Sequence, residues 1–499
     1  MHIREYIPIL DWLPKYQKKW LKSDLFAGLT IGVILIPQGI AYAIIAGLPP
    51  IYGLYTAMIP QIVYAFLGTS RQLAIGPAAM DSLIVASGIG MLASVGSEHF
   101  IVLAVLLAFM VGFFQVLFGI FRLGFLVNFL SKPVISGFTS GSAVIIGMNQ
   151  IGNLLGIELE RSNHIQSLLI ELFDKITSIH WTTATIGIVS ILIIVVIKNI
   201  SKKIPASLVI VVLAILIVYW FQLSNNGVQI LGEIPQGLPS FVIPTFDRAL
   251  MEELSGLALT LGLIGFMEAI SIAKSIEVKH NSYNVVANKE LVALGFSNMA
   301  GSFFQTYPAT AGFARTAVND QSGAKTPLSS LFAALIIGLS LLFLTPAFFF
   351  LPKAALAAVI MVAAFGLLDF SMPKNLLSYS KRDLLILNST LLVTVFIGIK
   401  EGILFGIILS LVMLIYRTTK PHMAILGNVP GTHFYRNISR FDDLIVQKEI
   451  LIIRFDAQLY FANIAYFKER IKAFAKEKGP DLELIVIDSE SMNAVDSSA

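Results

Sequence analysis

Long apolar runs, almost free of charge, alternate with short polar connections along the first four-fifths of the chain. Ile101–Ile120, Thr183–Ile197, Ser207–Gln222, Leu328–Thr345 and Leu384–Ile399 each approach the ~20 residues that a helix needs to cross a hydrocarbon core. The pattern predicts about fourteen apolar segments, at 24–46, 51–67, 76–92, 99–121, 132–152, 181–198, 205–222, 254–273, 286–303, 311–322, 327–346, 353–369, 383–399 and 401–416. The expected architecture is a polytopic α-helical membrane protein with a segment 1–23 ahead of it.

After Arg417 the pattern changes. Glu449–Phe455 and Leu482–Asp488 read as buried strands, and Asn463–Lys478 between them has helical spacing. Strand, helix, strand predicts a small α/β domain over 418–499. Roughly 80 residues is short for such a domain plus its linker, so the tail is read as partial.

Charge orients the segments. Lys15, Lys18, Lys19, Lys22, Arg71, Arg122, Lys132, Lys198, Lys202 and Lys203 fall on one set of loops. Lys274, Lys279, Lys289, Lys325, Lys374, Lys381, Arg382, Arg417 and Lys420 continue that set. The opposite loops hold little beyond Arg161, Lys175, Arg248, Lys353 and Lys400. By the positive-inside bias both termini are cytoplasmic, in a multi-pass protein of the cell inner (plasma) membrane.

Composition agrees: 56% of the 499 residues are hydrophobic and 13% charged, against roughly 25% charged in soluble chains. There is no cysteine, which excludes disulfides and thiolate metal sites. The basic and aromatic N-terminal residues, followed by so long an apolar run, do not read as a cleavable signal. No Walker loop, dinucleotide fingerprint, zinc spacing, nucleic-acid motif or nucleophile–base pair is seen, so an enzyme is not expected. No cofactor is expected either; energy would come from an ion gradient, through H+ or Na+ as coupling ion, or from a partner subunit.

Transporters made of inverted repeats bind substrate where matching broken helices meet. Two short Gly/Pro-interrupted segments match here, as the third and tenth of a seven-plus-seven count. One runs from Gly68 through Gly76-Pro77-Ala78 to Asp81, the other from Gly301 through Pro308 and Gly312-Phe313-Ala314 to Arg315. In the first, helix is expected to begin at Gly76-Pro77. Two helix N-termini aimed at one point would favour an anion; kinked helices in close packing are the alternative. Glu268, within Leu257–Ile272, is costly as an ionised group, roughly 2.5–3.5 kcal/mol. It serves either to couple a proton or cation, or as a protonated packing carboxylate. Asp81 either stabilises a helix dipole or binds a cation, and Arg315 either adds charge to an anion site or snorkels to lipid headgroups. Gln38 and Tyr42 share a face of the first segment, expected to be broken at Pro37; they suit an oxyanion or ordinary helix packing.

The run Gly47-Leu-Pro-Pro-Ile-Tyr-Gly-Leu-Tyr-Thr-Ala-Met-Ile-Pro60, followed by Tyr64, Gly68-Thr-Ser-Arg71 and Ile75-Gly76-Pro77, resembles the signature of the sulfate permease (SulP) anion transporters. Ser131-Lys-Pro-Val-Ile-Ser-Gly-Phe-Thr-Ser-Gly141 is similar to another of their motifs. The tail resembles their STAS domain, with Asp496-Ser497-Ser498 at its characteristic loop; the matching serines of soluble STAS proteins are phosphorylated, whereas an ordinary turn and cap is the plainer reading here. The resemblance implies a seven-plus-seven inverted repeat of core and gate domains, usually a homodimer, with substrate bound between the third and tenth helices. It assigns Gln38, Tyr42, Ala314 and Arg315 to substrate-site positions and Glu268 to cation coupling. Ala314 departs from the serine common in relatives, and Asp81 adds a carboxylate that many relatives lack.

The function so implied is secondary transport of sulfate or a similar oxyanion, H+-coupled, by alternating access. Sodium-coupled bicarbonate or dicarboxylate uptake, anion exchange, and an anion-sensing receptor signalling through STAS are the alternatives.

Overall fold

The computed structural model describes residues 8–125, 131–159, 165–200, 206–280, 283–366 and 368–499. Arg161, Lys202 and Lys203 of the loop-charge pattern, and residues 1–7 of the N-terminal segment, lie outside the described residues. The chain divides into two compact units, Met1–Ile407 and Ile408–Ala499.

Fourteen helices carry the apolar segments. In chain order they are α1 (Lys18–Ala46), α2 (Pro50–Leu67), α3 (Ala79–Ile89), α4 (Glu98–Ile120), α5 (Lys132–Leu155), α6 (Trp181–Ile200) and α7 (Ala206–Trp220). The second seven are α8 (Arg248–His280), α9 (Ala287–Ser302), α10 (Phe313–Gln321), α11 (Leu328–Phe343), α12 (Lys353–Phe365), α13 (Lys381–Phe396) and α14 (Ile399–Thr419). Among the described residues, α1, α2, α4, α5, α6 and α8 are long and apolar enough to cross a membrane unaided.

Packing repeats with a shift of seven helices. α4 lies on α9 as α11 lies on α2; α1 on α11 as α8 on α4; α5 on α13 as α12 on α6. On the axis of that repeat, β1 (Ile75–Gly76) pairs antiparallel with β2 (Thr310–Ala311), Ile75 opposite Ala311 and Gly76 opposite Thr310.

Small residues allow this closeness in a medium where apolar burial alone does not drive helices together. A Cβ added at Gly53 of α2 would lie 1.9 Å from the Gly39 carbonyl oxygen of α1. Buried carboxylates also clasp loops. Asp24 in the second turn of α1 accepts hydrogen bonds from the Lys325 and Thr326 amides at 2.7 and 3.1 Å and from the Thr326 hydroxyl at 2.7 Å.

Three local expectations are corrected. α3 begins at Ala79, not at Gly76-Pro77, because the β1–β2 pairing holds Ile75 and Gly76 extended. For the same reason α10 begins at Phe313. The first helix is not broken at Pro37: it continues from Lys18 to Ala46, since proline removes one backbone donor while the packed neighbours hold the axis.

The second unit is an α/β fold. β3 (Met423–Asn428), β4 (Tyr435–Asn437), β5 (Ile450–Phe455) and β6 (Leu484–Asp488) form one sheet in the order β4-β3-β5-β6. β5 and β6 run parallel, joined by the crossover helix α15 (Ile464–Lys478), as a parallel pair requires. Phe467 and Phe474 of α15 bury against Leu451, Ile453 and Phe455 of β5. Beside this core, Asp456 accepts from Arg454 Nε at 2.6 Å and lies 2.8 Å from His422 Nδ1. The Arg454 hydrogen bond holds the Asp456 carboxyl below its usual range, with His422 adding to the effect. In the 496–498 loop it is Asp496 that caps: its carboxylate accepts from the amides of Phe461 and Ala499, each at 2.8 Å.

Candidate functional site

Antiparallel pairing of β1 with β2 brings the starts of α3 and α10 together. Ala78 and Gly312 are the N-caps, and the first intrahelical bonds run from Ser82 N to Ala78 O and from Thr316 N to Gly312 O. The amides of residues 79–81 and 313–315 are therefore without helical partners, and two positive dipole ends share one region.

Arg315 is the third residue of α10 and is 2% exposed. Its guanidinium donates to the Pro77 carbonyl ahead of α3 and to the Thr310 carbonyl at 3.3 Å. It lies over Gly312, where an added Cβ would come within 2.6 Å of Cζ. A buried side chain so engaged does not snorkel to the surface. Its Nε has no hydrogen-bond partner, so the cation retains donor capacity.

Asp81 is the third residue of α3 and also 2% exposed, with Oδ1 unpartnered. Gly265 of α8 marks its surroundings: a Cβ there would lie 3.3 Å from Thr310 Oγ1 and 3.6 Å from Asp81 Oδ2. The Thr310 hydroxyl donates to the Gly265 carbonyl at 2.7 Å. Glu268 follows one helical turn later, half-buried, with Oε2 unpartnered.

A cavity of about 1350 Å³ runs past these groups. Gln38, Tyr42, Ala78, Glu268, Gly312, Phe313, Ala314 and Arg315 line it on one side, and residues of α5, α6 and α12 on the other. Gly76, Pro77 and Asp81 do not line it. Gly76 is engaged in β1, Pro77 accepts from Arg315, and Asp81 lies behind the wall. The cavity continues to Phe26, Thr30, Lys198, Gln321 and Ser322, at the face where α1 begins and α6 and α10 end. Among the described residues no His/Cys/Asp/Glu group suits a metal ion.

Several supporting residues escaped the sequence reading. Asn298 of α9 holds the strand before α10, accepting from the Ala309 amide at 2.8 Å and donating to its carbonyl at 3.0 Å. Thr316 accepts from Ala74 N at 3.1 Å, and Asn319 donates to Gln72 O at 2.9 Å. Glu290, fully buried, accepts from Tyr64 and from the Thr69 and Ser70 loop. Apart from those of Asn298, these contacts join positions some 220 to 250 residues apart, so no local spacing signals them.

Comparison with known proteins bears on the whole chain. Residues 21–390 match the model of the sulfate permease family, and residues 443–499 that of the STAS domain. Sulfate transporter 4.1, chloroplastic, of Arabidopsis thaliana is 40% identical over 99% of this chain and 74% of its own length. Sulfate transporter 3.1 of the same plant is 34% identical over 99% and 78%. Among solved structures, the murine solute carrier 26 family member A9 anion transporter in the inward-facing state matches with a TM-score of 0.91. It is 26% identical and covers 99% of this chain and 84% of that one. The transmembrane domain of the cyanobacterium bicarbonate transporter BicA matches with a TM-score of 0.69 and 25% identity, over 79% and 98%. The chain belongs to the sulfate permease family: it is a membrane-integral transporter, not an enzyme, and it carries a STAS domain.

Proposed function

We propose that this protein is a secondary active transporter of sulfate or a closely related small oxyanion, coupled to protons. The anion would sit between the starts of α3 and α10. The observation that carries the reading is the convergence of two half-helix N-termini on a buried arginine at the wall of one cavity. Unpaired amides, dipole ends and a guanidinium all favour an anion. Gln38 and Tyr42 add an amide and a phenol from α1, whereas Ala314 offers no hydroxyl.

Glu268 is the coupling group, at the same cavity and with an unpartnered oxygen. A dianion entering with one proton still carries charge against a negative-inside potential, at ~2.3 kcal/mol per charge per 100 mV. A second acid helps, and Asp81 stands one helix away. With both termini cytoplasmic, as loop charge implies, the cavity opens inward. Residues 24–417 then form the transporter and 418–499 the STAS region, and the working unit is a homodimer in the cell membrane.

The oxygen set of Asp81, Thr310 and Gly265 supports a second reading, sodium coupling, because hard cations take carboxylate, hydroxyl and carbonyl oxygens together.

Radiolabelled sulfate uptake into proteoliposomes tests both, with an inward proton gradient, an inward sodium gradient or neither. Proton stimulation that Glu268→Gln abolishes is the expected result. Stimulation by sodium alone selects the second reading. Folded protein that takes up no sulfate under any gradient overturns the substrate, and bicarbonate and dicarboxylates are then measured. Anion binding without transport points to a receptor.

A further inference from the structure

The arm at residues 68–75 carries the chain from the end of α2 to the start of the anion seat. Nearly every peptide along it is fastened, and the strongest fastening is Glu290. Its carboxylate, in the first turn of α9, is 0% exposed. Oε2 accepts from the Tyr64 hydroxyl at 2.6 Å; Oε1 accepts from Thr69 N at 2.7 Å, Thr69 Oγ1 at 2.5 Å and Ser70 N at 3.2 Å. The Thr69 hydroxyl also accepts from Val286 N at 3.2 Å, closing a circuit with the start of α9.

From there the arm is held again at Gln72 and Ala74. Tyr283 donates to Gln72 Oε1 at 2.7 Å, Gln72 donates to Ala324 O at 3.1 Å, and Ala74 binds Thr316 and Gly312 ahead of β1. A buried carboxylate is costly unless fully hydrogen-bonded. Four donors to one group, two of them backbone amides, satisfy it here and make it a charge-assisted anchor. It touches neither the cavity lining nor the half-helix amides.

We propose that Glu290 is a positioning residue for the anion seat: through Thr69 and Ser70 it sets where β1, and hence the first turn of α3, stands against α10. This rests on the reading of that turn as the substrate site. The role asks for acceptors, not for a titrating charge. Glutamine could meet most of it, its oxygen facing Thr69 and Ser70 and its amide donating to Tyr64; alanine could not.

The experiment compares Glu290→Ala, Glu290→Gln and Thr69→Val with the parent, as purified full-length protein in proteoliposomes. Sulfate KM, maximal rate and hydrogen exchange of the 69–78 amides are measured. Glu290→Ala should raise KM by about tenfold or more with little change in maximal rate, and speed exchange across 69–78 while α5 and α12 stay protected. Glu290→Gln should lie within about threefold of the parent, with Thr69→Val in between. Equal loss in Glu290→Ala and Glu290→Gln, with altered cation dependence, would overturn the proposal in favour of a coupling charge. So would unchanged exchange at 69–78 in Glu290→Ala. If that variant does not fold, normal KM and exchange in Thr69→Val overturn it. A parent that takes up no sulfate defeats the substrate reading alone, since the exchange comparison still reports on positioning.

Discussion

Asp81 and Arg315 occupy the same place in the two halves of the repeat: each is the third residue of its half-helix, and each is 2% exposed. One position thus carries an acid in one half and a base in the other. Arg315 is tied to the Pro77 and Thr310 carbonyls, whereas Asp81 Oδ1 has no hydrogen-bond partner. The repeat is symmetric in backbone and opposite in side-chain chemistry at its centre.

Arg315→Lys tests whether that centre needs a fork or only a cation. An ammonium keeps the charge but does not reproduce the planar two-carbonyl engagement. Losing charge-assisted bonds of about 1.5–3 kcal/mol should weaken sulfate binding roughly 10- to 100-fold. Sulfate KM in proteoliposomes reads this directly; a value within twofold of the parent would show that charge alone suffices.

Asp81→Asn replaces the acid by a neutral amide of the same shape. Asparagine cannot ionise, so the repulsion that an ionised Asp81 would exert on a bound dianion is absent, and sulfate should bind up to about tenfold more tightly without a gradient, on the order of 1.4 kcal/mol at most. The gradient-stimulated part of uptake should fall in the same variant. Weaker binding, with stimulation intact, would leave Asp81 a structural role only.

The Asp456 cluster makes a pH-dependent contribution to the α/β unit. Its carboxyl is held below the ordinary aspartate pKa by the Arg454 hydrogen bond. Its stabilisation is therefore complete above the unfolded value of about 3.9 and is lost as pH falls through the lower, folded one. Partial exposure limits it to about 0.5–1 kcal/mol. Hydrogen exchange of β3 and β5 should be faster in Asp456→Asn than in the parent at neutral pH, and the difference should vanish in acid. A difference that persists well below the ordinary aspartate range would refute this account.

Apolar blocks and the change at Arg417 were enough to read the fourteen apolar helices, the repeat and the α/β tail, because membrane spans and a crossover unit leave strong local patterns, but not the helices Ile165–Asp174 and Ser371–Tyr379. β3 and β4 were missed: β3 ends in Gly427 and Asn428, and β4 is only three residues long. The half-helix starts were displaced by two or three residues, since a strand of two residues has no sequence signature. Residue types and spacing drew Gln38, Tyr42, Glu268 and Arg315 to attention, and these four meet at one cavity. Sequence could not place Gly76, Pro77 and Asp81 behind its wall. Asp24 and Glu290 read locally as unremarkable helix acids, and most of their partners lie some 220 to 300 residues away.

The pairing of β1 with β2 makes the proposed anion seat a single object. Its two walls come from opposite halves of the chain, yet each backbone is the other's hydrogen-bond partner, so the seat cannot be pried open like a jaw without breaking that pair. A bound ion would be carried by the seat as cargo on a tray, presented to either side by whatever slides past it. Differences between the two sides of the membrane must then originate in the far wall of the cavity, on α5, α6 and α12, which is mostly apolar but carries Thr139, Lys198 and Asn199.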